Sequence, residues 1–154
     1  MLESMPKWIL ASVAKHFNDR KGTLFMYLEG QKRNTNMLQD YFELRMNGPD
    51  RRTIAKNYYG FDITINVLVQ SLYNDKDAYR YIKTCGLVGK MFETSIKVYK
   101  FGDEVGDDRT VLVDCLSKQG MVEINHFGRQ APAIDVNTSE VQCRYSMELT
   151  INEE

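Results

Sequence analysis

The sequence predicts an α+β fold: a single domain over residues 1–154, with a mainly antiparallel sheet, two helices packed on one face and an extended β-hairpin. Three observations carry that expectation. From Val141 to Ile151 every odd position is apolar or aromatic and every even position polar. A second run, Phe61 to Gln70, repeats the alternation with Leu68 as its one exception. Period-two alternation marks a strand with one face on a core and one face in water. Two stretches, 7–18 and 76–92, instead carry apolar residues at three- and four-residue steps, the spacing of a helix stripe. At this length one domain buries most of its apolar surface without disulfides or metals.

The elements follow in order. Pro6 suits a helix start, where its missing N–H is an orphan anyway, and Ser4 is the candidate cap. Trp8, Ile9, Val13, His16 and Phe17 form the stripe of the first helix, and Asn18–Gly22 is its polar stop. Thr23–Glu29 reads as a short buried strand, Gly30–Met37 as a loop and Gln39–Met46 as a strand. Asn47-Gly48-Pro49-Asp50 is a turn signal. The polar segment Asn47–Lys56 then makes a hairpin with the strand at 61–70, its tip around Arg51 and Arg52. Asn74-Asp75 caps the second helix, whose stripe is Ala78, Ile82, Cys85, Val88 and Phe92. Gly86 and Gly89 each weaken that helix by up to about 1 kcal/mol relative to alanine, so close packing on the sheet is expected of them. Strands at 95–101, 110–117, 121–127 and 141–151 complete the order α-β-β-β-α-β-β-β-β.

Composition narrows the function. Hydrophobic content of 43% and charged content of 27% are those of an ordinary globular protein. No apolar stretch approaches the roughly 18 residues of a membrane span, and Met1–Pro6 lacks the pattern of a signal peptide. A cytoplasmic protein without a membrane partner is the expectation. Three widely spaced cysteines, Cys85, Cys115 and Cys143, are neither a disulfide framework nor a zinc site, and read as buried thiols.

Chemistry is hard to find. His16 lies on the apolar stripe of the first helix, and His126 ends a strand; two histidines are too few for most histidine metal sites. Nucleophile-elbow, P-loop, dinucleotide and Cys-x-x-Cys motifs are all absent from the sequence. Gly86-Leu87-Val88-Gly89-Lys90 mimics part of a phosphate loop but sits inside a helix pattern. Asp103, Glu104, Asp107 and Asp108 lack the ligand spacing of an EF-hand and read as a solvated loop. The chain is therefore expected to be no enzyme, with no cofactor and no metal.

Charge is distributed unevenly around a net of −1. Residues 31–60 hold six basic residues (Lys32, Arg33, Arg45, Arg51, Arg52, Lys56) against three acidic, a net +3. Residues 101–154 hold four basic against eleven acidic, a net −7. Opposite patches of this kind steer association and fix register. Tyrosines around the long strand, including Tyr58 and Tyr59, suit an interface or a core edge.

Four strings, Tyr41–Pro49, Asn57–Asp62, Ile96–Gly102 and Glu123–Gly128, resemble segments of small structural proteins of tailed-bacteriophage tail operons. With the element order, the chain resembles the tail-terminator (tail-completion) family, in texture rather than through a diagnostic motif. The Gly102–Asp108 loop and the strands after it have no counterpart in that pattern. The resemblance implies a virion structural protein, assembled in the host cytoplasm, that forms a six-membered ring with copies of itself. Such a ring caps the head-proximal end of the tail tube and stops its growth, with the tube protein and the head or neck connector as partners; DNA passes through without being read. The expected interface residues are Arg45, Arg51, Arg52, Lys56, Tyr58, Tyr59, Asp107 and Asp108. Another neck ring protein is the nearest alternative. Two readings from other classes stand beside it: a small ligand binder or enzyme with Glu123, His126 and tyrosines lining a pocket, and a nucleic-acid binder using Arg45, Arg51, Arg52 and Lys56.

Overall fold

Two long antiparallel strands, β3 (Tyr58–Leu72) and β6 (Ala133–Thr150), pair along their whole length at the centre of the protein. In this computed structural model residues 1–31, 40–72, 79–101, 110–130 and 133–152 are described, without the side chains of 72, 129, 130 and 133–136. Around the central pair lie β1 (Phe25–Leu28), β2 (Tyr41–Ala55), β4 (Ser95–Phe101) and β5 (Thr110–Gln130) in the order β1-β2-β3-β6-β5-β4. β1 runs parallel to β2, so the sheet is mixed rather than purely antiparallel. The other four pairings are antiparallel.

Alternation in the sequence becomes alternation in burial. Phe61, Ile63, Ile65, Val67 and Val69 of β3 are buried, and their even-numbered neighbours from Asp62 to Gln70 are half-buried. On β6, Val141, Cys143, Tyr145 and Met147 are buried while Arg144 and Glu148 are exposed; Leu149 is only half-buried. Helix α1 (Met5–Arg20) places Met5, Trp8, Ile9, Ser12, Val13, His16 and Phe17 inward. Helix α2 (Arg80–Gly89) contributes Thr84, Cys85 and Val88. Apolar residues of both helices join the odd-numbered strand residues in one core cluster. Each fully buried aliphatic or aromatic side chain contributes about 1.5–3 kcal/mol. α1 packs against both β2 and β4, and α2 against β3 and β6. The sheet therefore curls around α1 and leaves its even-numbered face without a covering layer among the described residues.

Several expectations change. β2 does not turn at Asn47–Asp50 but runs on to Ala55, with a register shift between Asn47 and Asp50. Gly48 makes that bulge; its φ is +105°, and a Cβ there would lie 2.7 Å from the Asp62 carbonyl oxygen. The hairpin tip is instead Lys56-Asn57, where Asn57 adopts a φ of 62°. The expected strands at 110–117 and 121–127 are one strand. Its first half, to Ser117, pairs with β4, and its second half, from Ser117, pairs with β6. A bulge between Gln119 and Glu123 holds Gly120, with a φ of +81°, so the glycine bends the strand rather than ending it. β6 begins at Ala133, not 141, because its inward positions there are polar: Asn137 and Ser139 are buried. β1 is half-buried at every position, as suits a short edge strand. Ser4 occupies the N-cap position of α1 without a capping side-chain bond. The expected cap at Asn74-Asp75 and the acidic loop at 102–108 lie outside the described residues.

The two helix glycines do not pack on the sheet. Gly86 is exposed, and a Cβ at either Gly86 or Gly89 would meet nothing within 4 Å. Gly86→Ala should therefore raise stability by up to about 1 kcal/mol, by restricting the unfolded chain and favouring the helix. Urea unfolding of the variant measures it; an unchanged or lowered midpoint contradicts the placement. No helix among the described residues is long and apolar enough to cross a membrane.

Candidate interaction surfaces

Near its tip the β2–β3 hairpin is tied to β6 by a charged network on the open sheet face. Arg52 Nε donates to Asp62 Oδ2 at 2.6 Å, and its Nη2 lies 3.3 Å from Asp62 Oδ1 and 3.8 Å from Glu148 Oε1. The Tyr58 hydroxyl donates to Glu148 Oε2 at 2.6 Å. Gly60 makes room for this: a Cβ there would lie 2.8 Å from Arg52 Nη2. The bond to Asp62 raises the Arg52 pKa, and the bond to Glu148 raises that of Tyr58. Arg52 and Tyr58 are thus both held by contacts within the sheet.

The other expected interface residues divide. Arg45 lies against Glu43 at 3.3 Å, and its buried Nε has no hydrogen-bond partner among the described residues. Arg51 is exposed, with its guanidinium 5.9 Å from the centre of the Tyr59 ring, a cation–π contact. Arg51 pairs with Phe61 across the ladder and Arg52 with Gly60, so the two arginines face opposite sides of the hairpin. Lys56 is exposed at the tip. Asp107 and Asp108 lie outside the described residues. The charge segregation of the sequence is thereby reduced: Arg45 and Arg52 are matched within the chain, whereas Arg51 and Lys56 meet no carboxylate among the described residues.

A cleft of about 740 Å³ opens on the same face where β5 leaves β6, lined by Arg52, Asp62, Ser117, Gln119, Arg144 and Glu148 among others. It is wide and polar rather than an enclosed apolar pocket.

β5 carries the feature that sequence reading missed. Half of the exposed large hydrophobics among the described residues lie on it: Val111, Leu112, Met121, Ile124 and Phe127. Met121 is 85% exposed. From Gln119 onward β5 pairs only with β6, so its outer edge has no partner strand among the described residues. The signal was present in Met121, Ile124 and Phe127, whose three-residue spacing fits neither face of a regular strand.

The two histidines occupy unlike settings. His16 Nε2 donates to the Met91 carbonyl at 2.7 Å, and burial lowers its pKa below 6.5. A folded pKa below the unfolded value means that the unfolded chain takes the proton first. Stability from this group is complete above about pH 6.5 and declines as pH falls below it. The urea midpoint should therefore be lower at pH 5.5 than at pH 7.5, and His16→Gln should shrink that difference; an unchanged difference contradicts the assignment. His126 Nδ1 lies 2.8 Å from Ser139 Oγ, with Tyr81 edge-on at 5.3 Å. Ser139 is only 1% exposed, so the pair offers no accessible nucleophile. Glu123 pairs with Gln142 on the open face and His126 with Ser139 on the helix face, so the two do not line one pocket. Burial raises the pKa of Cys85 and Cys143. Among the described residues no group of three or more His, Cys, Asp or Glu side chains could hold a metal ion.

Asp40 organises the opposite end of the sheet. Its carboxylate accepts bonds from Ser71 Oγ at 3.1 Å, Arg80 Nε at 2.9 Å and Thr84 Oγ1 at 3.2 Å. It thus joins the start of β2 to the end of β3 and to α2. Comparison of the chain with protein-family models and with curated proteins finds no match.

Proposed function

We propose that this protein is a structural subunit of a closed homo-oligomeric ring, of the kind formed by phage tail terminators, rather than an enzyme. The observation that carries the reading is the apolar outer edge of β5, which has no partner strand among the described residues, on a chain whose β2–β3 hairpin also exposes Arg51 and Lys56. Exposed apolar residues gathered on one element mark an interaction site more than chance exposure does. A head-to-tail contact between two unlike surfaces closes into a ring when the rotation between subunits closes. Six copies, a virion location, capping of the tail tube and docking of the neck connector are the finer parts of this proposal, and DNA crosses the lumen unread. The Arg52–Asp62–Glu148 network supports it by stiffening the hairpin, leaving Arg51 and Lys56 for the tube or a neighbour.

The test uses tail-tube subunits of the same virus polymerising in the presence of the protein. Elongation should stop at one tube end, with the protein bound there in a single ring. Tube growth at the same rate and to the same length contradicts the proposal. Arg51→Glu should slow capping at low salt and leave the unfolding curve unchanged, since exposed charges act on encounter more than on stability. Capping at the wild-type rate removes the hairpin from the contact.

A further inference from the structure

We propose that the groove where α1 and α2 end takes the acidic segment 102–109 of a neighbouring copy. This rests on the ring reading above and names one contact between its subunits.

The two helices end in the same way. Lys21 is the C-cap of α1 and Lys90 that of α2, where the negative pole of a helix favours a cation. Both lysines line a groove of about 320 Å³, together with Leu24, Leu87 and Met91. Leu24 and Met91 are buried and Leu87 is exposed, so the groove offers apolar surface beside two cations. Glu93, the one carboxylate in its lining, is held by Arg20 at 2.9 Å. Lys21 Nζ reaches only the Leu24 carbonyl, at 3.4 Å, and Lys90 has no ion pair among the described residues.

The complement to this groove lies in the sequence between β4 and β5. Residues 102–109 hold Asp103, Glu104, Asp107 and Asp108 against Arg109 alone, a net −3, with Val105 between the two acidic pairs. An apolar residue flanked by carboxylates matches apolar surface flanked by lysines. Opposite charges of this kind steer encounter and fix register, and burial of the apolar residue adds affinity. These residues lie outside the described ones, but their anchors are fixed: Phe101 and Thr110 pair across β4 and β5. Val111 and Leu112, at the foot of the segment, are both more than half exposed, so apolar surface adjoins it.

Groove and segment sit at opposite ends of α1. β4 runs antiparallel to that helix. Glu93, just before β4, meets Arg20; the Tyr99 N–H donates to Ser12 Oγ at 2.9 Å; and Lys100 Nζ lies 5.6 Å from the centre of the Trp8 ring. From Ser95 to Phe101 the strand spans about 20 Å, and the groove lies beyond Ser95. A segment of eight residues tied at both ends reaches at most about 15 Å. The segment therefore falls short of the groove in its own chain. Between two copies the same contact joins unlike surfaces head to tail, as a ring requires.

Zero-length carbodiimide cross-linking tests the contact in wild-type protein, with isotope-labelled and unlabelled chains refolded together. Amide links should join Lys21 or Lys90 of one isotope form to a carboxylate of 102–109 in the other. Links confined to one isotope form, or links from these lysines to a different acidic segment, overturn the proposal. No such link, from protein that is oligomeric by native mass, also overturns it and leaves the ring reading standing. A monomer by native mass removes the ring reading and this contact together. Charge reversal gives an independent readout. Lys21→Glu with Lys90→Glu should raise the concentration for half-assembly by about tenfold or more, as should Asp107→Lys with Asp108→Lys. All four changes in one chain should restore most of the loss, because the coupling belongs to the pair of surfaces. Lysines that serve only their helix ends would shift the unfolding midpoint and leave assembly unchanged. That result, or a loss that the combined variant does not restore, contradicts the contact.

Discussion

Replacing Phe17 by alanine should lower the stability of the protein by about 3–5 kcal/mol, the range for emptying a fully buried aromatic site. Phe17 has no exposed surface, and it lies edge-on to Phe92 at 5.1 Å and to His16 at 5.5 Å. Phe92 follows α2, and α1 carries Phe17, so this contact joins the two helices over the sheet. Dense packing around α1 leaves little freedom to collapse into the space, which puts the loss toward the upper end. Phe17→Leu retains most of the volume and should cost less than half as much. Chemical denaturation of the two variants measures both; a loss under 1 kcal/mol for Phe17→Ala contradicts the position given to this side chain.

Asp40→Ala should cost about 1–3 kcal/mol, by a different route. The substitution removes no large apolar volume. It strands the buried hydroxyl of Ser71 and leaves the Arg80 guanidinium without its carboxylate, while the Thr84 hydroxyl retains its bond to the Arg80 carbonyl at 3.1 Å. Unsatisfied buried polar groups cost about 1–3 kcal/mol each, and Arg80, being partly exposed, recovers some of its share from water. Asp40→Asn retains one acceptor oxygen and should lose less. The α2 amides should lose hydrogen-exchange protection first, because Asp40 binds that helix to the sheet through Arg80 and Thr84. Equal loss of protection in α1 and α2 contradicts this division.

The parts of the fold legible in the sequence were those where one physical rule acted alone. Along Phe61–Gln70 and Val141–Met147 the sheet core demands apolar residues at every second position, and nothing else competes, so strand and buried face could both be read. The stripe of α1 was legible for the same reason, with its ends extending to Met5 and Arg20. β6 before Val141 was illegible because its inward positions are Asn137 and Ser139, satisfied in part by hydrogen bonds such as that between Ser139 and His126. Glycine misled twice. Gly48 and Gly120 signal turns, yet each sits in a bulge within a continuing strand, and only the pairing partner distinguishes the two outcomes.

The candidate surfaces were less legible than the fold. Arg52 and Arg51 are adjacent in sequence and look alike, but strand alternation sends them to opposite faces, one onto Asp62 and Glu148 and the other over Tyr59. The apolar edge of β5 depends on which half of that strand each neighbour covers, a fact of tertiary pairing. Asp40 gave no signal, since a single aspartate before a strand is ordinary until Ser71, Arg80 and Thr84 converge on it.

The most direct measurement of the central claim is the native mass of the purified protein across a range of concentrations. A single closed species of six copies that persists on dilution, with its formation slowed by salt, is the expected result. A protein that stays monomeric at every concentration, or that grows into open chains without a fixed end point, contradicts it.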